Sequence, residues 1–263
     1  MCGLLARESL MLRIITTIFW VVAVVLSTSE PTLAAIGRTN GAATVSTNGA
    51  AEYSIPLWTP GGTNGLQPSL SLDYSSRGGR SAFGIGWSLS GLSAIARCGT
   101  TWQDGAPREV RNDALDRFCL DGSKLQLVSG TYGAAGAEYR TEVETFSRVR
   151  SLGAAGSGPA SFTVELKNGL IYEYGNSTDS RILPTGQTTV RLWTLNKIRD
   201  RSGNAILFNY TVDTANGSFG IDSIQYTQNA AQGVSPHYEV KFSYEALPGK
   251  KVILKGANFV CEG

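Results

Sequence analysis

The stretch SFTVELKNGLIYEY, Ser161 to Tyr174, contains two runs of alternating apolar and polar residues on either side of Asn168-Gly169. Alternation with a period of two is typical of β-strands, and an Asn-Gly pair between two such runs predicts a β-hairpin. The register of this hairpin depends on the length of its loop, because each loop length sets different side chains opposite each other.

The apolar side chains decide between the two registers. A two-residue loop pairs Val164 with Glu173, which sets a carboxylate among apolar neighbours. A three-residue loop, Lys167 to Gly169, instead pairs Val164 with Tyr172, and every pair on that face is then apolar. We therefore predict the three-residue loop, with Gly169 in the left-handed conformation that glycine adopts without steric cost.

The same alternation recurs along most of the chain. GLQPSLSLDYSS, which starts at Gly65, is the clearest strand, and the polar turn RDRSGN lies between two more, the second with Ile206, Phe208 and Tyr210 on one face. No segment has helical periodicity. The pattern predicts an all-β fold of antiparallel hairpins and sheets that form a β-rich shell or a sandwich-like domain.

Proline and glycine mark the connections between these strands. Pro56 and Pro68 lack an amide hydrogen, so their strands are expected at a sheet edge or with those nitrogens turned away from the ladder. The segments YGAAGAE and LGAAGSGPAS are rich in small residues and are expected to be exposed, flexible loops.

The stretch FGIGWSLSGLSAI, which begins at Phe83, raises the question of a phosphate-binding glycine loop. Gly84 and Gly86 match the first two glycines of a dinucleotide-binding fingerprint, but Leu89 occupies the third position and the segment alternates like a strand. We interpret the two glycines as a tight structural corner that Trp87 covers, and we expect no bound cofactor.

Other candidate catalytic residues have simpler interpretations. Glu142 and Glu144 resemble the acidic motif of ADP-ribosyltransferases, but the alternation of YRTEVETFSRVR predicts the solvated face of a strand. The only histidine, His237, has no nucleophile motif near it and is interpreted as a surface or strand-edge residue. DRFCLDGSK lacks the calcium ligand series, and Asp121-Gly122 predicts a hairpin turn. No catalytic residue and no metal site are expected.

The first residues have the composition of a secretory signal. Arg7 and Arg13 precede the apolar run IITTIFWVVAVVL, which is shorter than the roughly 20 residues of a membrane span, so we predict cleavage near Ala34 or Ala35. An uncleaved membrane anchor is the alternative. Removal of residues 1–35 leaves the net charge at +2, which predicts no nucleic-acid binding. The mature chain is expected to be secreted or at the cell surface.

Export would place the remaining cysteines in an oxidising compartment. Cys98 and Cys119 are the natural pair for a structural disulfide, and a loop of that size would stabilise the fold by about 3 kcal/mol. Two separate buried thiols are the alternative, because spacing alone does not show that the geometry permits a bond.

Several stretches resemble one known family. YSIPLWTPGGTNGLQPSLSLDYSS, FGIGWSLSGLSAIAR and DRFCLDGSKLQL are similar to the N-terminal domain shared by SpvB and the B component of insecticidal Tc toxin complexes. Four elements of that domain occur in the same order here: the Pro-Gly-Gly strand, the following alternating strand, the G-x-G-W element and the D-x-F-x-L-D-G hairpin. The similarity runs from about Ala51 to about Tyr244.

The resemblance implies a non-catalytic structural or delivery module of an exported virulence or toxin-like protein. Its partner would be the remainder of a toxin or Rhs-type assembly, in the same chain or in another one. The transferase of the family is a separate C-terminal domain, so no enzyme activity is expected. The signal-like N-terminus and the resemblance together divide the chain into four predicted segments. They are a signal peptide (1–35), a linker or weak first strand (36–50), an SpvB-type β domain (51–247) and a truncated or divergent tail (248–263).

A cell-surface carbohydrate-binding or adhesion module is the alternative function. It would require Trp58, Trp87, Trp102 and Trp193 to form an aromatic platform, because sugar rings stack on exposed aromatic faces. Burial of all four tryptophans would argue against this alternative.

Overall fold

The computed structural model describes residues 41–215 and 217–244. Within these residues every long element is a β-strand, and helical residues occur only in three short 3₁₀ turns. The predicted all-β, antiparallel class is therefore confirmed. The predicted signal peptide, residues 1–35, and the predicted tail, residues 248–263, lie outside the described residues.

The strands are numbered in chain order, and the 3₁₀ turns lie in the connections after β2, β7 and β17. The turns are Thr63–Gly65, Trp102–Asp104 and Ala230–Gln232. The strands are β1 (Ala42–Val45), β2 (Ala51–Leu57), β3 (Leu70–Ser75), β4 (Arg80–Ser81), β5 (Gly84–Ile85), β6 (Trp87–Ser90), β7 (Ala94–Cys98), β8 (Arg117–Leu120), β9 (Ser123–Ser129), β10 (Glu138–Thr141), β11 (Arg148–Leu152), β12 (Ser161–Glu165), β13 (Ile171–Tyr174), β14 (Arg181–Ile182), β15 (Leu192–Arg199), β16 (Ala205–Asp213), β17 (Ser218–Gln228) and β18 (Tyr238–Lys241).

Eight of these strands form one closed antiparallel sheet. Strands β7 to β13 follow one another in chain order, and β15 closes the sheet because it pairs with both β13 and β7. Each pairing from β7 to β13 joins strands that are adjacent in the sequence, which is the commonest way to build a sheet. Closure depends on the long-range pairing of Ile171–Tyr174 with Leu195–Arg199.

Aromatic side chains fill the interior of the closed sheet. Phe118, Tyr139, Phe162 and Trp193 come from four different strands and are all buried. The rings of Phe162 and Trp193 meet edge to face with centroids 5.0 Å apart, and Phe118 packs in the same way 5.4 Å from Trp193. Edge-to-face contact is a favoured geometry for aromatic pairs. The interior is therefore a packed core, as expected for a closed sheet of this size.

The hairpin of β12 and β13 has the predicted register. Val164 lies opposite Tyr172, and Phe162 lies opposite Tyr174. Gly169 has a φ of +85°, which is the left-handed conformation that the three-residue loop requires. The prediction of a three-residue loop is confirmed, and it matters for the whole fold because β13 is one of the two strands that close the sheet.

Strand β15 also belongs to a second group of strands. Its residues Leu192–Thr194 pair with β7, whereas Lys197–Arg199 pair with β16. Strands β16, β17 and β18 continue from there as an antiparallel extension. As predicted for β16, the side chains of Ile206, Phe208 and Tyr210 share one face, and all three are buried.

A separate four-stranded sheet has the order β1-β2-β3-β6. The part of the predicted linker that is described contains β1, so the weak first strand is the correct alternative for Ala42–Val45. Strand β1 pairs with β2 only as far as Ser54, which leaves Pro56 beyond that ladder, and Pro68 precedes β3. Apolar residues at one end of this sheet, including Leu57, pack against the main core.

The prediction of one continuous strand in YRTEVETFSRVR is wrong. Strand β10 ends at Thr141 and β11 begins at Arg148, so the segment is a hairpin with a turn between them. Phe146 adopts a φ of +56° in this turn, and its N–H donates to the Glu144 carboxylate at 2.5 Å. The sequence contains no glycine or proline here that would mark a turn. Glu142 and Glu144 are exposed, as expected.

We expect Gly169→Val to lower the free energy of unfolding by about 1–3 kcal/mol, because a β-branched residue is strained at positive φ. Gly79→Val is the matched control, since Gly79 has an ordinary φ and free space around it. Urea unfolding of both variants measures the difference. Equal stability of Gly169→Val and the unchanged chain would contradict the assigned register.

Candidate functional site

The connections at the two ends of the closed sheet differ in length. The short-turn end carries the hairpin turns after β8, β10, β12 and β15. The long-loop end carries the segments 99–116, 130–137, 153–160 and 175–191. A side chain that lies at the long-loop end therefore has several irregular segments within reach.

Arg97 of β7 lies at the long-loop end with its side chain fully buried. Its guanidinium donates hydrogen bonds from Nε to the carbonyl of Val190 (2.7 Å), from Nη1 to the carbonyl of Asp113 (2.7 Å) and from Nη2 to the carbonyl of Ser157 (3.1 Å). These carbonyls belong to three different long loops. One side chain thus holds three irregular segments against the end of the sheet.

The charge of Arg97 is balanced by Asp116, whose carboxylate lies 3.4 Å from Nη1 and is also fully buried. Asp116 accepts further hydrogen bonds from the Arg108 guanidinium (2.9 Å) and from the backbone N–H of Arg111 (3.0 Å) and Asp113 (3.2 Å). Burial lowers the pKa of Arg97, and the nearby Asp116 carboxylate opposes that effect. Buried charges are tolerated when they are paired and hydrogen-bonded in this way.

The same guanidinium packs on the aromatic core. Its central carbon lies 5.5 Å from the ring centroid of Phe118 and 5.7 Å from that of Trp193, both within cation–π range. The indole Nε1 of Trp193 donates to the carbonyl of Pro159 at 3.2 Å. The segment LGAAGSGPAS, predicted to be an exposed flexible loop, is therefore anchored through Ser157 and Pro159.

A disulfide joins the two strands beside this cluster. The Sγ atoms of Cys98 and Cys119 are 2.09 Å apart, and the bond links β7 to β8. Cys98 directly follows Arg97, and Cys119 directly follows Phe118. The covalent link, the buried charges and the aromatic core therefore meet at one place in the fold.

A second charged group lies on the outer side of β8 and β9. Asp104 accepts hydrogen bonds from Lys124 Nζ (2.7 Å), Arg117 Nε (3.0 Å) and the backbone N–H of Thr101 (2.9 Å). Burial alone would raise the pKa of Asp104, but these hydrogen bonds outweigh it and hold the pKa below its usual value. The group ties the loop after β7 to the neighbouring strands.

The two predicted turn sites are in left-handed backbone regions. Gly86 has a φ of +80°, and a Cβ atom there would lie 2.6 Å from the Tyr74 ring. The Trp87 ring packs 5.3 Å from that of Tyr74, and Trp87 itself begins β6. Gly84 also has positive φ. The glycines thus allow a tight corner at which two aromatic rings meet.

Asp121 and Gly122 form the turn between β8 and β9 and both have positive φ, at 47° and 84°. The Asp121 carboxylate accepts hydrogen bonds from the backbone N–H of Ala94 (2.9 Å) and from the hydroxyl of Ser93 (2.6 Å). This carboxylate therefore fixes the start of β7 beside the turn.

The four tryptophans do not form one platform. Trp193 is completely buried in the core and Trp87 is half-buried, whereas Trp58 and Trp102 are 86% and 80% exposed. His237 is exposed just before β18. Among the residues that the structure describes, no cluster of three or more His, Cys, Asp or Glu side chains is arranged to hold a metal ion. No helix in that part of the chain is long and apolar enough to span a bilayer.

Within residues 41–215 and 217–244, the larger sheets have three outer strands that pair on one side only, namely β1, β6 and β18; the two-residue strands β4, β5 and β14 also have a single partner each. Strand β18 presents the charged residues Glu239 and Lys241 to solvent, which is a common protection of sheet edges. Strand β1 has no charged residue, and all four of its residues are exposed. It is the least protected of the three edges.

We expect Asp116→Ala to lower the free energy of unfolding by about 3–5 kcal/mol, because it leaves the buried Arg97 guanidinium without a counter-charge. Arg148→Ala is the control: it removes a half-exposed ion pair with Glu165, and the expected loss is at most about 1 kcal/mol. Urea denaturation followed by tryptophan fluorescence measures both. Similar losses of unfolding free energy in the two variants would contradict a larger contribution of the buried pair to stability.

Solved structures with a similar fold are parts of toxins and effectors. The crystal structure of TcdB2–TccC3 matches with a TM-score of 0.58 and 23% identity over 72% of this chain and 10% of that one. The Tc holotoxin pore of Photorhabdus luminescens matches with a TM-score of 0.56 and 22% identity, over the same shares. This chain therefore spans about a tenth of the length of those toxin chains. No curated protein matches the chain by sequence.

A third structure, the N-terminal domain of the effector protein SpvB from Salmonella typhimurium strain LT2, matches with a TM-score of 0.54 and 20% identity over 74% of each chain. The sequence itself matches the profile of the family described as Salmonella virulence plasmid 65kDa B protein over residues 45–253. This match covers most of the chain, including both the buried charge pair and the disulfide. The chain belongs to the SpvB family.

Proposed function

We propose that the chain is a non-catalytic structural or delivery module of a larger, exported toxin-like assembly. The observation that carries this proposal is the edge strand β1, which has no charged residue and pairs on one side only within residues 41–215 and 217–244, because such an edge is a ready template for another strand. Membership of the SpvB family and the likeness to segments of Tc toxin chains support the same role.

The contents of the closed sheet support a structural role. The space that a ligand would occupy in a larger sheet of this kind is filled here by Phe118, Tyr139, Phe162 and Trp193. The buried ionic groups Arg97 and Asp116 form hydrogen bonds with loop backbone and with each other, and Asp116 also accepts one from Arg108. These interactions stabilise the fold, and they support a role for this chain as a rigid structural module.

The disulfide supports export. A bond between Cys98 and Cys119 persists in oxidising compartments and is rare in reducing ones. We therefore propose that the chain works outside the cytosol, as the predicted signal peptide implies. The partner would be the remainder of a toxin or Rhs-type assembly.

The role as a module can be tested by crosslinking in cells that carry the native gene. We expect the chain to be recovered in a complex of fixed stoichiometry, with crosslinks near β1. Val45→Lys, which places a charge on this edge, should weaken the complex by about tenfold, because a solvated charge opposes strand pairing. Val143→Lys is the matched control, since Val45 and Val143 are 75% and 73% exposed and only Val45 lies on an edge.

Two outcomes would count against the module. One is a chain that remains a monomer throughout, and the other is equal weakening by the two lysine variants. Near-ultraviolet circular dichroism of both variants shows whether the fold is retained. Transfer of label from NAD to host proteins by the purified full chain would overturn the non-catalytic part of the proposal.

A carbohydrate-binding role is the second candidate, and the exposure of Trp58 and Trp102 favours it. Sugar binding to these rings would quench tryptophan fluorescence, and the quenching should disappear in Trp58→Ala or Trp102→Ala. Trp193 supplies the internal reference because it is completely buried. Fluorescence that does not change across a panel of glycans would rule against this candidate.

A further inference from the structure

The short-turn end of the closed sheet carries a cavity of about 390 Å³. Three connections that are distant in sequence line it: residues 64–66 at the end of the first 3₁₀ turn, residues 168–170 of the hairpin turn after β12 and residues 200–202 of the turn after β15. This volume lies at the lower end of the range for small-ligand sites, which run from about 300 to 1,000 Å³. The cavity therefore suits a small ligand and is distinct from the edge strand β1.

The Asp200 carboxylate is the organising group of this cavity. It accepts hydrogen bonds from the backbone N–H of Ser202 and Asn204 (both 2.9 Å) and from the side-chain amides of Asn204 (2.8 Å) and Asn64 (3.4 Å). Burial would raise the pKa of Asp200, but these bonds hold it below its usual value. Its negative charge is thus satisfied by the protein, and it fixes Asn64 and the turn in place.

Arg201, by contrast, is an exposed residue whose guanidinium has no partner among the described residues. Within residues 41–215 and 217–244 it makes no ion pair and no hydrogen bond. It lies over the turn residue Gly169, where a Cβ atom would stand 2.8 Å from its Nε. Because Gly169 has no side chain, the Arg201 guanidinium, a planar group with several N–H donors, has room beside the cavity.

The remaining lining groups are two carboxamides, a hydroxyl and two apolar side chains. Asn168 Oδ1 accepts the backbone N–H of Leu170 at 3.1 Å, which fixes the amide and leaves its Nδ2 for a ligand. Leu170, which is half-buried, supplies apolar surface, whereas the Leu66 side chain belongs to the buried core. A guanidinium recognises a carboxylate with paired hydrogen bonds, and carboxamides recognise hydroxyl groups.

We propose that this cavity binds an acidic sugar, with the carboxylate on Arg201 and the ring hydroxyls on Asn64, Asn168 and Ser202. A sugar ring offers an apolar face to Leu170 while its hydroxyls reach the amides. A neutral sugar would leave the guanidinium unpaired. The site does not depend on the proposed assembly through β1, so the two can fail separately.

Calorimetric titration of the full 263-residue chain with glucuronic acid tests the proposal, with glucose as the neutral comparison. We expect glucuronate to bind at least about tenfold more tightly than glucose, because charge-assisted hydrogen bonds contribute that much. Arg201→Ala should lower the glucuronate affinity by about the same factor. Arg201→Lys should restore it only in part, because lysine lacks the fork of donors.

Arg80→Ala is the matched control, since Arg80 is an exposed arginine on β4, away from the cavity lining. It should bind glucuronate like the unchanged chain, and circular dichroism shows whether each variant keeps its fold. Equal binding of glucose and glucuronate, no binding of either, or equal losses in the Arg80 and Arg201 variants would overturn the proposal. Equally tight binding of an N-acetylated dipeptide with a free carboxylate would overturn the assignment to a sugar.

Discussion

The buried ion pair of Arg97 and Asp116 is the interaction on which the rest of the structure depends. A charge in a low-dielectric interior is costly unless it is fully compensated, so every group around it must be placed accurately. Arg97 meets this requirement by binding the carbonyls of Asp113, Ser157 and Val190. Three of the four long loops are consequently ordered by a polar interaction, while the strands are ordered by the aromatic core beneath it.

Local patterns in the sequence predict the strands and the hairpins well. The register of β12 and β13 follows from the requirement that Val164 and Phe162 face apolar partners, together with the conformational freedom of Gly169. Such predictions succeed because the two strands and their turn are adjacent in the chain. Local patterns do not reveal the hairpin turn after Thr141, because it contains no glycine or proline and the cross-strand contacts that form it are not visible in one sequence.

The buried charges and the closure of the sheet could not be predicted in the same way. Arginine and aspartate are usually exposed, so a burial prediction from residue type fails at Arg97 and Asp116. A weak signal exists: Arg97 has the same strand parity as the buried Ile95, and Asp116 precedes the buried Phe118 by two residues. Closure by β15 joins distant segments, and nothing local in the sequence specifies it. The cavity at Arg201 likewise arises from three connections brought together only by folding.

Strand β15 is shared by the closed sheet and the β16–β18 extension, and this sharing determines how the extension is attached. The extension pairs with β15 at Lys197–Arg199, whereas the pairing of β15 with β7 ends earlier in the strand, at Thr194. Side chains add to this short ladder: the Tyr210 hydroxyl of β16 donates to the Leu195 carbonyl at 2.8 Å, and the Tyr226 hydroxyl of β17 donates to the Pro60 carbonyl at 3.0 Å. Ile206, Phe208 and Ile224 of the extension also belong to the same buried apolar cluster as the closed sheet. Separation of β16 from β15 would therefore expose part of that core, so the extension and the closed sheet are expected to unfold as one cooperative unit.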